Sequence, residues 1–287
     1  MGKRKFVQLF SAIVYNANIK GFFSGNIYRG KLKTVCVPGL NCYSCPGAVG
    51  SCPIGSLQAV LGSAHKVSLY VAGFLIAVGA LFGRFICGWV CPFGLIQELL
   101  HKIPGRKIRA KRIFGILKYL KYVVLAVFVI ALPMILLWVN GVSAPTFCKY
   151  ICPAGTLEAG IPLVLLNSDL QSALGWLFDW KVLLLAATVI LSVFIYRPFC
   201  RFICPLGAIY ALFNRISVFG INLEKDKCTG CLACARACRL DIKPFETPNA
   251  AECIRCGDCV RACPENALRY RYPYMGGAEE NRPKAQE

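Results

Sequence analysis

The chain has 287 residues, of which 56% are apolar and only 16% are charged. This balance departs from that of soluble proteins and is typical of a protein whose solvent is a lipid bilayer. The formal net charge of +19 would suggest nucleic-acid binding in a soluble protein. Here, however, the basic residues flank apolar runs, as they do where charge sets orientation in a membrane. We therefore expect no nucleic-acid partner.

Four apolar stretches are expected to cross the membrane. Three of them, residues 67–82, 122–139 and 182–196, are near the short end of the roughly 20 residues that a bilayer requires. The second is expected to be kinked or locally opened at Pro133. The fourth, residues 6–23, contains polar side chains and lacks the cleavage site of a signal peptide, so we interpret it as a retained helix. The alternative is an amphipathic helix in the membrane interface.

Basic residues are distributed unevenly between the loops. Residues 84–121 contain nine Lys and Arg against the single acid Glu98, which predicts that this loop is cytoplasmic. Residues 141–180 contain one basic residue, Lys149, against three acidic residues. This loop is therefore expected on the opposite side of the membrane. Four spans then place both chain ends in the cytoplasm, in a multi-pass protein of a bacterial or archaeal inner membrane.

Eighteen cysteines are clustered beside prolines and glycines, which favours metal ligation over scattered disulfides. After residue 227 two runs follow with the spacing Cys-x2-Cys-x2-Cys-x3-Cys, the spacing of bacterial two-cluster ferredoxins. Three cysteines of a run cap one cubane and the fourth reaches the other cubane. The predicted ligands of the two [4Fe-4S] clusters are Cys228, Cys231, Cys234 and Cys263 for one, and Cys253, Cys256, Cys259 and Cys238 for the other.

Two alternatives for these runs are a pair of zinc sites and a disulfide module. Zinc ribbons pair two separated Cys-x2-Cys knuckles and need neither a third cysteine at the same step nor a fourth at x3. A disulfide module requires an oxidising compartment, whereas the loop charges place this domain in the reducing cytoplasm. Both alternatives therefore fit the pattern less well than iron–sulfur clusters do.

One motif, Cys-Pro-x-Gly-x-Ile/Leu, occurs four times in the membrane part, at Cys52, Cys91, Cys152 and Cys204. Proline at the first helical position fixes the helix start, and the preceding cysteine lies beside unpaired backbone N–H groups. These N–H groups and the positive end of the helix dipole favour an anionic thiolate cluster. We expect the helices of the second and fourth motifs to be amphipathic and to lie on the cytoplasmic face.

The second and fourth motifs extend further, each as Arg-x2-Cys-x3-Cys-Pro-x-Gly. Their cysteines predict an embedded cluster held by Cys87, Cys91, Cys200 and Cys204. The first and third motifs face the other side, where six cysteines compete. By analogy we choose Cys45, Cys52, Cys148 and Cys152 as ligands of a second embedded cluster. Cys42 is a rival of Cys45, and Cys36 and Cys42 are alternative ligands or a disulfide pair. A dithiol acting in disulfide exchange is the functional form of that alternative.

This arrangement resembles the membrane polyferredoxin family over residues 36–264. The family includes the quinol-dehydrogenase membrane component of periplasmic nitrate reductase, the nitrous-oxide-reductase maturation protein and the cytochrome oxidase accessory iron–sulfur protein. The resemblance implies a cytoplasmic ferredoxin domain and an electron-carrying role. The implied partners are a cytoplasmic ferredoxin or flavoprotein and a membrane or extracytoplasmic oxidoreductase, with quinone as a further candidate.

The predicted architecture is an α-helical membrane domain at residues 1–218, an α+β two-cluster ferredoxin domain at 219–273 and a polar tail at 274–287. No catalytic residue is predicted, and His65 and His101 are expected to have ordinary interfacial roles. The leading prediction is that the chain carries single electrons. We expect it to be a subunit of an oxidoreductase system rather than a stand-alone enzyme. The alternatives are a maturation factor that reduces a metal ion or a disulfide, and a structural anchor for a soluble oxidoreductase.

Overall fold

The computed structural model of the chain describes residues 2–63, 69–109, 112–141, 143–172 and 174–271. The membrane part is built from helices joined by short loops. In chain order its α-helices are α1 (Lys3–Tyr15), α2 (Ile19–Ser24), α3 (Pro53–Leu61), α4 (Leu69–Phe82), α5 (Phe85–Trp89), α6 (Pro92–Leu100), α7 (Arg112–Leu117), α8 (Leu120–Val124), α9 (Leu132–Asn140), α10 (Thr146–Tyr150), α11 (Pro153–Gly155), α12 (Ile161–Leu166), α13 (Ser168–Ser172), α14 (Trp176–Phe194), α15 (Pro198–Phe202) and α16 (Pro205–Phe213).

Within the described residues, two helices are long and apolar enough to cross a bilayer, at Ile113–Asn140 and Trp176–Phe194. They overlap the predicted stretches 122–139 and 182–196. Two shorter apolar helices are Leu69–Phe82, which overlaps the predicted stretch 67–82, and Pro153–Leu166, which was not predicted. Aromatic and long basic side chains suit a membrane interface, which explains why α14 begins several residues before the stretch that hydrophobicity alone delimits.

The predicted stretch 6–23 is divided into α1 and α2. Asn16 Nδ2 donates to Ala12 O at 3.0 Å at the end of α1, and Asn18 Nδ2 donates to Pro46 O at 2.9 Å. Such side-chain bonds to backbone groups compete with a continuing helix. On α1, Arg4 and Gln8 are buried where the helix packs against α5 and α6. Gln8, Asn16 and Asn18 of this stretch therefore contact protein, whereas Lys20 is exposed.

Two helical stretches open into π-helix, at Leu125–Ala131 and at Thr156–Gly160. Each lies directly before a helix with proline in its first turn, α9 with Pro133 and α12 with Pro162. A proline removes one backbone donor and its ring clashes with the carbonyl four residues earlier, so the preceding turn widens. The local opening predicted at Pro133 is confirmed.

Each Cys-Pro-x-Gly motif starts a helix, namely α3, α6, α11 and α16, with cysteine at the N-cap and proline in the first turn. The predicted helix starts are therefore confirmed. The fourth motif's helix, α16, packs against α3, α4 and α8. It buries six of its nine residues, whereas Leu212 is 62% exposed. Its position on the cytoplasmic face stays a prediction.

The C-terminal domain contains two antiparallel strands, β1 (Gly220–Leu223) and β2 (Leu268–Arg271), paired from Gly220 with Arg271 to Leu223 with Leu268. Two short helices, α17 (Ala233–Ala237) and α18 (Asp258–Arg261), lie within the two cysteine runs and carry Cys234 and Cys259. Both runs lie between the two strands in the sequence. His65 and the tail 274–287 lie outside the described residues.

Candidate metal centres

The eight cysteines of the C-terminal domain line two separate cavities. Each cavity is lined by three cysteines of one run and the fourth cysteine of the other run. The first ferredoxin group is Cys228, Cys231, Cys234 and Cys263, and the second ferredoxin group is Cys238, Cys253, Cys256 and Cys259. These are the combinations that the crossed spacing predicted.

The two runs form matching loops. Gly230 and Arg255 occupy equivalent places two residues after the first cysteine of each run, and both have positive φ, 69° and 52°. Leu232 and Gly257 are also equivalent, with φ of 58° and 81°. A non-glycine residue in this region is uncommon, so its presence at matched positions shows that the loop geometry is imposed by the turn around each cavity.

The two ferredoxin groups differ in exposure. Cys228 and Cys231 of the first group are exposed. Leu240 and Ile254, which line or adjoin the second group's cavity, are buried in the same apolar core as Cys87 and Cys200 of the membrane part. The first group therefore faces solvent, and the second lies between it and the membrane part.

Cys87, Cys91, Cys200 and Cys204 are buried together next to the second ferredoxin group, and we call them the near group. Burial, followed by the thiols of Cys200 and Cys87, raises the pKa of Cys91 to about 12. Burial and the other three thiols also raise the pKa of Cys204. The four predicted side chains therefore share one site.

Two arginines connect the halves of the near group reciprocally. Arg84, three residues before Cys87, donates from Nη2 to Cys200 O at 3.0 Å. Arg197, three residues before Cys200, donates to Cys87 O. Both guanidinium groups are fully buried. The repeated Arg-x2-Cys sequence thus forms a pseudo-symmetric clamp in which each repeat holds the other.

A second group of cysteines lines a cavity of about 590 Å³ on the side of the near group away from the ferredoxin domain. This far group is Cys42, Cys52, Cys148 and Cys152. Gly155 lies close to two of them, because a Cβ placed there would be 3.7 Å from Cys42 Sγ and 3.9 Å from Cys152 Sγ. The third motif therefore lies beside a thiol of the 38–42 segment as well as its own.

Cys45, which the sequence analysis chose, does not line this cavity. Its thiol donates to Asn16 Oδ1 at 3.5 Å. Cys36 is also elsewhere, since its backbone N–H donates to Tyr70 Oη at 3.4 Å. None of the eighteen cysteines is in a disulfide, including the alternative pair Cys36 and Cys42. The structure therefore brings together three of the four chosen cysteines and the rival Cys42.

The helix starts stabilise thiolates as the motif predicted. The thiol of Cys152 accepts a hydrogen bond from the Gly155 N–H at 3.4 Å, and that of Cys204 accepts one from the Gly207 N–H, also at 3.4 Å. Hydrogen bonds to the sulfurs are one of the main influences on cluster potential. In these two motifs the glycine thus supplies the N–H donor to the thiol.

Four thiols around one cavity match in number the four cysteine ligands of a [4Fe-4S] cubane. Within the described residues, which include all eighteen cysteines, no three His, Cys, Asp or Glu side chains converge closely enough to hold one metal ion. A zinc ion would require its thiolates about 2.3 Å from one centre. The thiolates of a cubane bind different irons and stand farther apart, which is compatible with four thiols arranged around a cavity.

Comparison with known proteins agrees with this chemistry. A family model described as a 4Fe-4S binding domain matches residues 64–111, 125–161 and 178–224, and a second of the same description matches residues 247–269. The ferredoxin-type protein NapH of Escherichia coli is 26% identical over 243 residues, which cover 79% of this chain and 76% of NapH. No solved structure matches the chain significantly.

Two further relatives are named for electron transport and for regulation. The putative electron transport protein YccM of Escherichia coli is 27% identical over 212 residues, covering 71% of this chain and 55% of YccM. The regulatory protein NosR of Pseudomonas aeruginosa is 31% identical over 195 residues, covering 65% of this chain and 24% of NosR. The chain belongs to the polyferredoxin-type family of 4Fe-4S membrane proteins. It binds [4Fe-4S] clusters, and its relatives support an electron-transfer role.

In this polyferredoxin the ferredoxin domain is bonded to the membrane part beside Cys253. Glu252 forms ion pairs with Arg84 at 2.7 Å and Lys121 at 2.5 Å. Burial alone would raise the pKa of the Glu252 carboxyl, but Arg84 and Lys121 hold it below its usual value. Trp89 Nε1 donates to Arg255 O at 3.0 Å. The loop that carries the second ferredoxin group is therefore fixed against the near group.

One contact at this junction is between backbone groups. A Cβ added to Gly88 would lie 2.2 Å from Ile254 O, so only glycine allows the observed approach. Gly88 directly follows Cys87, and Ile254 directly follows Cys253. The peptide next to a near-group cysteine therefore contacts the peptide next to a cysteine of the second ferredoxin group.

Two glutamines that the sequence analysis did not single out contact the membrane thiols. Gln97 Nε2 donates to Cys200 Sγ at 3.0 Å, and its Oε1 accepts the Phe199 N–H at 3.2 Å. Gln58 Nε2 donates to Cys148 Sγ at 3.4 Å, and its Oε1 accepts the Phe147 N–H at 2.9 Å. Each glutamine is the sixth residue after a motif cysteine, so the repeat itself carried the signal.

A buried ionic cluster anchors the N-terminal helix to the near group. Glu98 lies 2.6 Å from Arg4 Nη1 and 2.7 Å from Arg197 Nη2. Burial would raise the pKa of the Glu98 carboxyl, but Arg197 and Arg4 keep it below its usual value. Glu98, the single acid of the basic loop, is thus a structural counter-ion.

His101, one of the two histidines, places Nδ1 3.2 Å from Ser192 O.

Proposed function

We propose that the chain is a multi-pass membrane electron carrier. It would pass single electrons between a cytoplasmic donor or the quinone pool and a membrane or extracytoplasmic acceptor, by way of its ferredoxin domain and its membrane thiol groups. The observation that carries this proposal is the contact of Gly88 with Ile254 O. Two residues that each adjoin a cysteine are closely packed there, and tunnelling rates fall steeply with distance.

Four [4Fe-4S] clusters are proposed, each held by one of the four thiol groups. The crossed sets in the ferredoxin domain are supported by the lining of the two cavities. For the far group we propose Cys42 in place of Cys45, because Cys42 lines the cavity shared with Cys52, Cys148 and Cys152. Each cluster, when bound, supplies a one-electron redox couple.

The polypeptide's contribution is to position the groups and to balance their charge. Thiolates are costly to bury unless they are compensated, and the near group has Arg84, Arg197 and the Gln97 amide around it. The order of the groups follows from their contacts. The first ferredoxin group is at the surface for a soluble partner, the second ferredoxin group contacts the near group through Ile254 and Gly88, and the near group contacts the segment that leads to the far group through Cys91 and Gly39.

The proposed orientation places the ferredoxin domain in the cytoplasm. Its support is the excess of lysine and arginine in residues 84–121, which favours retention of that loop on the cytoplasmic side. Arg84 and Lys121 bound this loop, and both pair with Glu252 of the ferredoxin domain. Loop and domain would therefore lie on the same side.

Iron and acid-labile sulfide on anaerobically purified protein, with EPR of the reduced state, test the proposal. About sixteen irons per chain are expected from four cubanes. About eight would confine the clusters to the ferredoxin domain, contradict the wire, and leave the membrane cysteines to thiol chemistry such as the reduction of a partner's disulfide.

The junction is tested separately with Gly88→Val. The new side chain would separate Ile254 from Cys87, so we expect the near-group signal to appear more slowly after dithionite addition, while the ferredoxin signals appear at the unchanged rate. Gly115→Val is the matched control, because a Cβ on Gly115 meets nothing within 4 Å. Equal rates in the two variants, with equal iron contents, would contradict electron passage at this contact.

A further inference from the structure

The segment Pro38–Cys42 connects the near group to the far group. At its beginning, a Cβ added to Gly39 would lie 3.2 Å from Cys91 Cα and 3.3 Å from Pro92 Cδ, so the backbone of Gly39 lies against a near-group cysteine. At its end, Cys42 is itself a member of the far group. The three residue steps from Gly39 to Cys42 span at most about 11 Å even when fully extended.

The middle of the segment lies between the two groups. Leu40 is 2% exposed and Asn41 is 0% exposed, and both line the far-group cavity. The segment therefore runs from its backbone contact with Cys91 to the far-group cavity through two buried residues.

The segment is held in place from both sides. Tyr210 is fully buried on α16 and donates from its hydroxyl to Pro38 O at 3.0 Å. At the other end, Asn16 Nδ2 donates to Asn41 Oδ1 at 3.0 Å. Tyr210 is the sixth residue after Cys204, the position that Gln97 and Gln58 occupy in their repeats. The fourth repeat thus uses this position to hold the segment.

We propose that the segment Pro38–Cys42 is the bridge along which electrons pass between the near group and the far group, and that Gly39 is the positioning residue that keeps it against Cys91. This inference rests on the proposed function. One electron leaves the near-group site and one electron arrives at the far-group site, so the near site is oxidised and the far site is reduced by one unit. No bond forms or breaks, and no proton is required.

The first test uses Gly39→Val in the full-length protein with all clusters, reconstituted in lipid vesicles. The added side chain must push the segment away from Cys91 and Pro92. After dithionite reaches the ferredoxin domain, freeze-quench EPR should show the near-group signal at the wild-type rate and the far-group signal slowed about tenfold or more. The matched control is Gly73→Val on α4, where a Cβ meets nothing within 4 Å. A far-group signal that appears equally fast in both variants, at full iron content, overturns the proposal.

The second test needs no substitution at Gly39. It can therefore still contradict the proposal if the Gly39→Val variant loses iron. In the fully reduced wild-type protein, spins separated by so short a segment should interact magnetically, and the splitting should vanish in Cys42→Ala. Two independent signals in the wild-type protein overturn the proposal. Failure of the proposed function is distinct, because the near group would then not be reduced from the ferredoxin domain at all.

Discussion

The near and far groups are built from the same repeat and differ in what surrounds it. In each, two Cys-Pro-x-Gly helix starts face one another, and a glutamine six residues after a motif cysteine donates to a thiol of the opposite motif. Around the near group, two buried arginines donate to the opposing backbone. At the far group, the carboxylate of Glu158 accepts the Cys42 N–H at 2.5 Å instead.

This difference shows how one repeated cysteine scaffold is adapted to two surroundings. Both groups have thiols, helix N-termini and a glutamine, but the charged residues of the repeat differ: arginine precedes Cys87 and Cys200 by three residues, whereas Glu158 follows Cys152 by six. Arg84 holds Cys200 O and also pairs with Glu252 of the ferredoxin domain. The near group is therefore the point of attachment, and the far group, with its cavity of about 590 Å³, is left more open.

The largest expected effect separates the two candidates for the fourth far-group ligand. Cys42→Ala should remove about four irons per chain, because Cys42 lines the shared cavity. Cys45→Ala is the matched control three residues away and should retain full iron, since its thiol contacts Asn16. Iron and sulfide analysis of both purified variants decides between them, and the reverse pattern would restore the assignment made from sequence.

An intermediate effect is expected where the near group is attached to the ferredoxin domain. Arg84→Met leaves Glu252 with one of its two cationic partners and removes the bond to Cys200 O. Breaking a buried pair in this way costs roughly 3–5 kcal/mol, which is measured as a decrease in the free energy of unfolding during detergent denaturation. The exposed Arg215→Met should change stability by less than about 0.5 kcal/mol. Equal effects of the two substitutions would argue against the clamp.

The smallest effect compares the two glutamines. Gln97→Leu and Gln58→Leu each remove one N–H donor from a thiolate, which should lower the reduction potential of the corresponding cluster. A hydrogen bond of about 1 kcal/mol corresponds to roughly 40 mV for a one-electron couple. The shift should be larger for Gln97, whose amide is 3.0 Å from sulfur, than for Gln58 at 3.4 Å. EPR-monitored redox titration measures both, and unchanged potentials with intact clusters would show that the amides act only in packing.

Local spacing carried the prediction of the ferredoxin groups. Within each run consecutive cysteines are separated by two or three other residues, so the turn of a short loop decides which thiols meet. The helix starts were predictable for a related reason, since proline fixes the backbone of the first turn and cysteine directly precedes it. The near group followed from the repetition of Arg-x2-Cys-x3-Cys in two places.

Other features depend on segments that are distant in sequence. Cys42 and Cys45 have the same immediate chemistry, and only the path of residues 38–46 over Cys91 and toward Cys152 puts Cys42 in the cavity. The pairing of Glu252 with Arg84 joins residues 168 positions apart, which no local pattern specifies.

The sequence by itself thus determined the family and the iron–sulfur chemistry and predicted which cysteines lie together in three groups, because these follow from spacings within a few residues. Tertiary structure alone decided which cysteines line the fourth cavity, the backbone contact at Gly88 and the approach of Gly39 to Cys91. Those depend on which surfaces pack together, and packing is set by burial over the whole chain and not by any one motif.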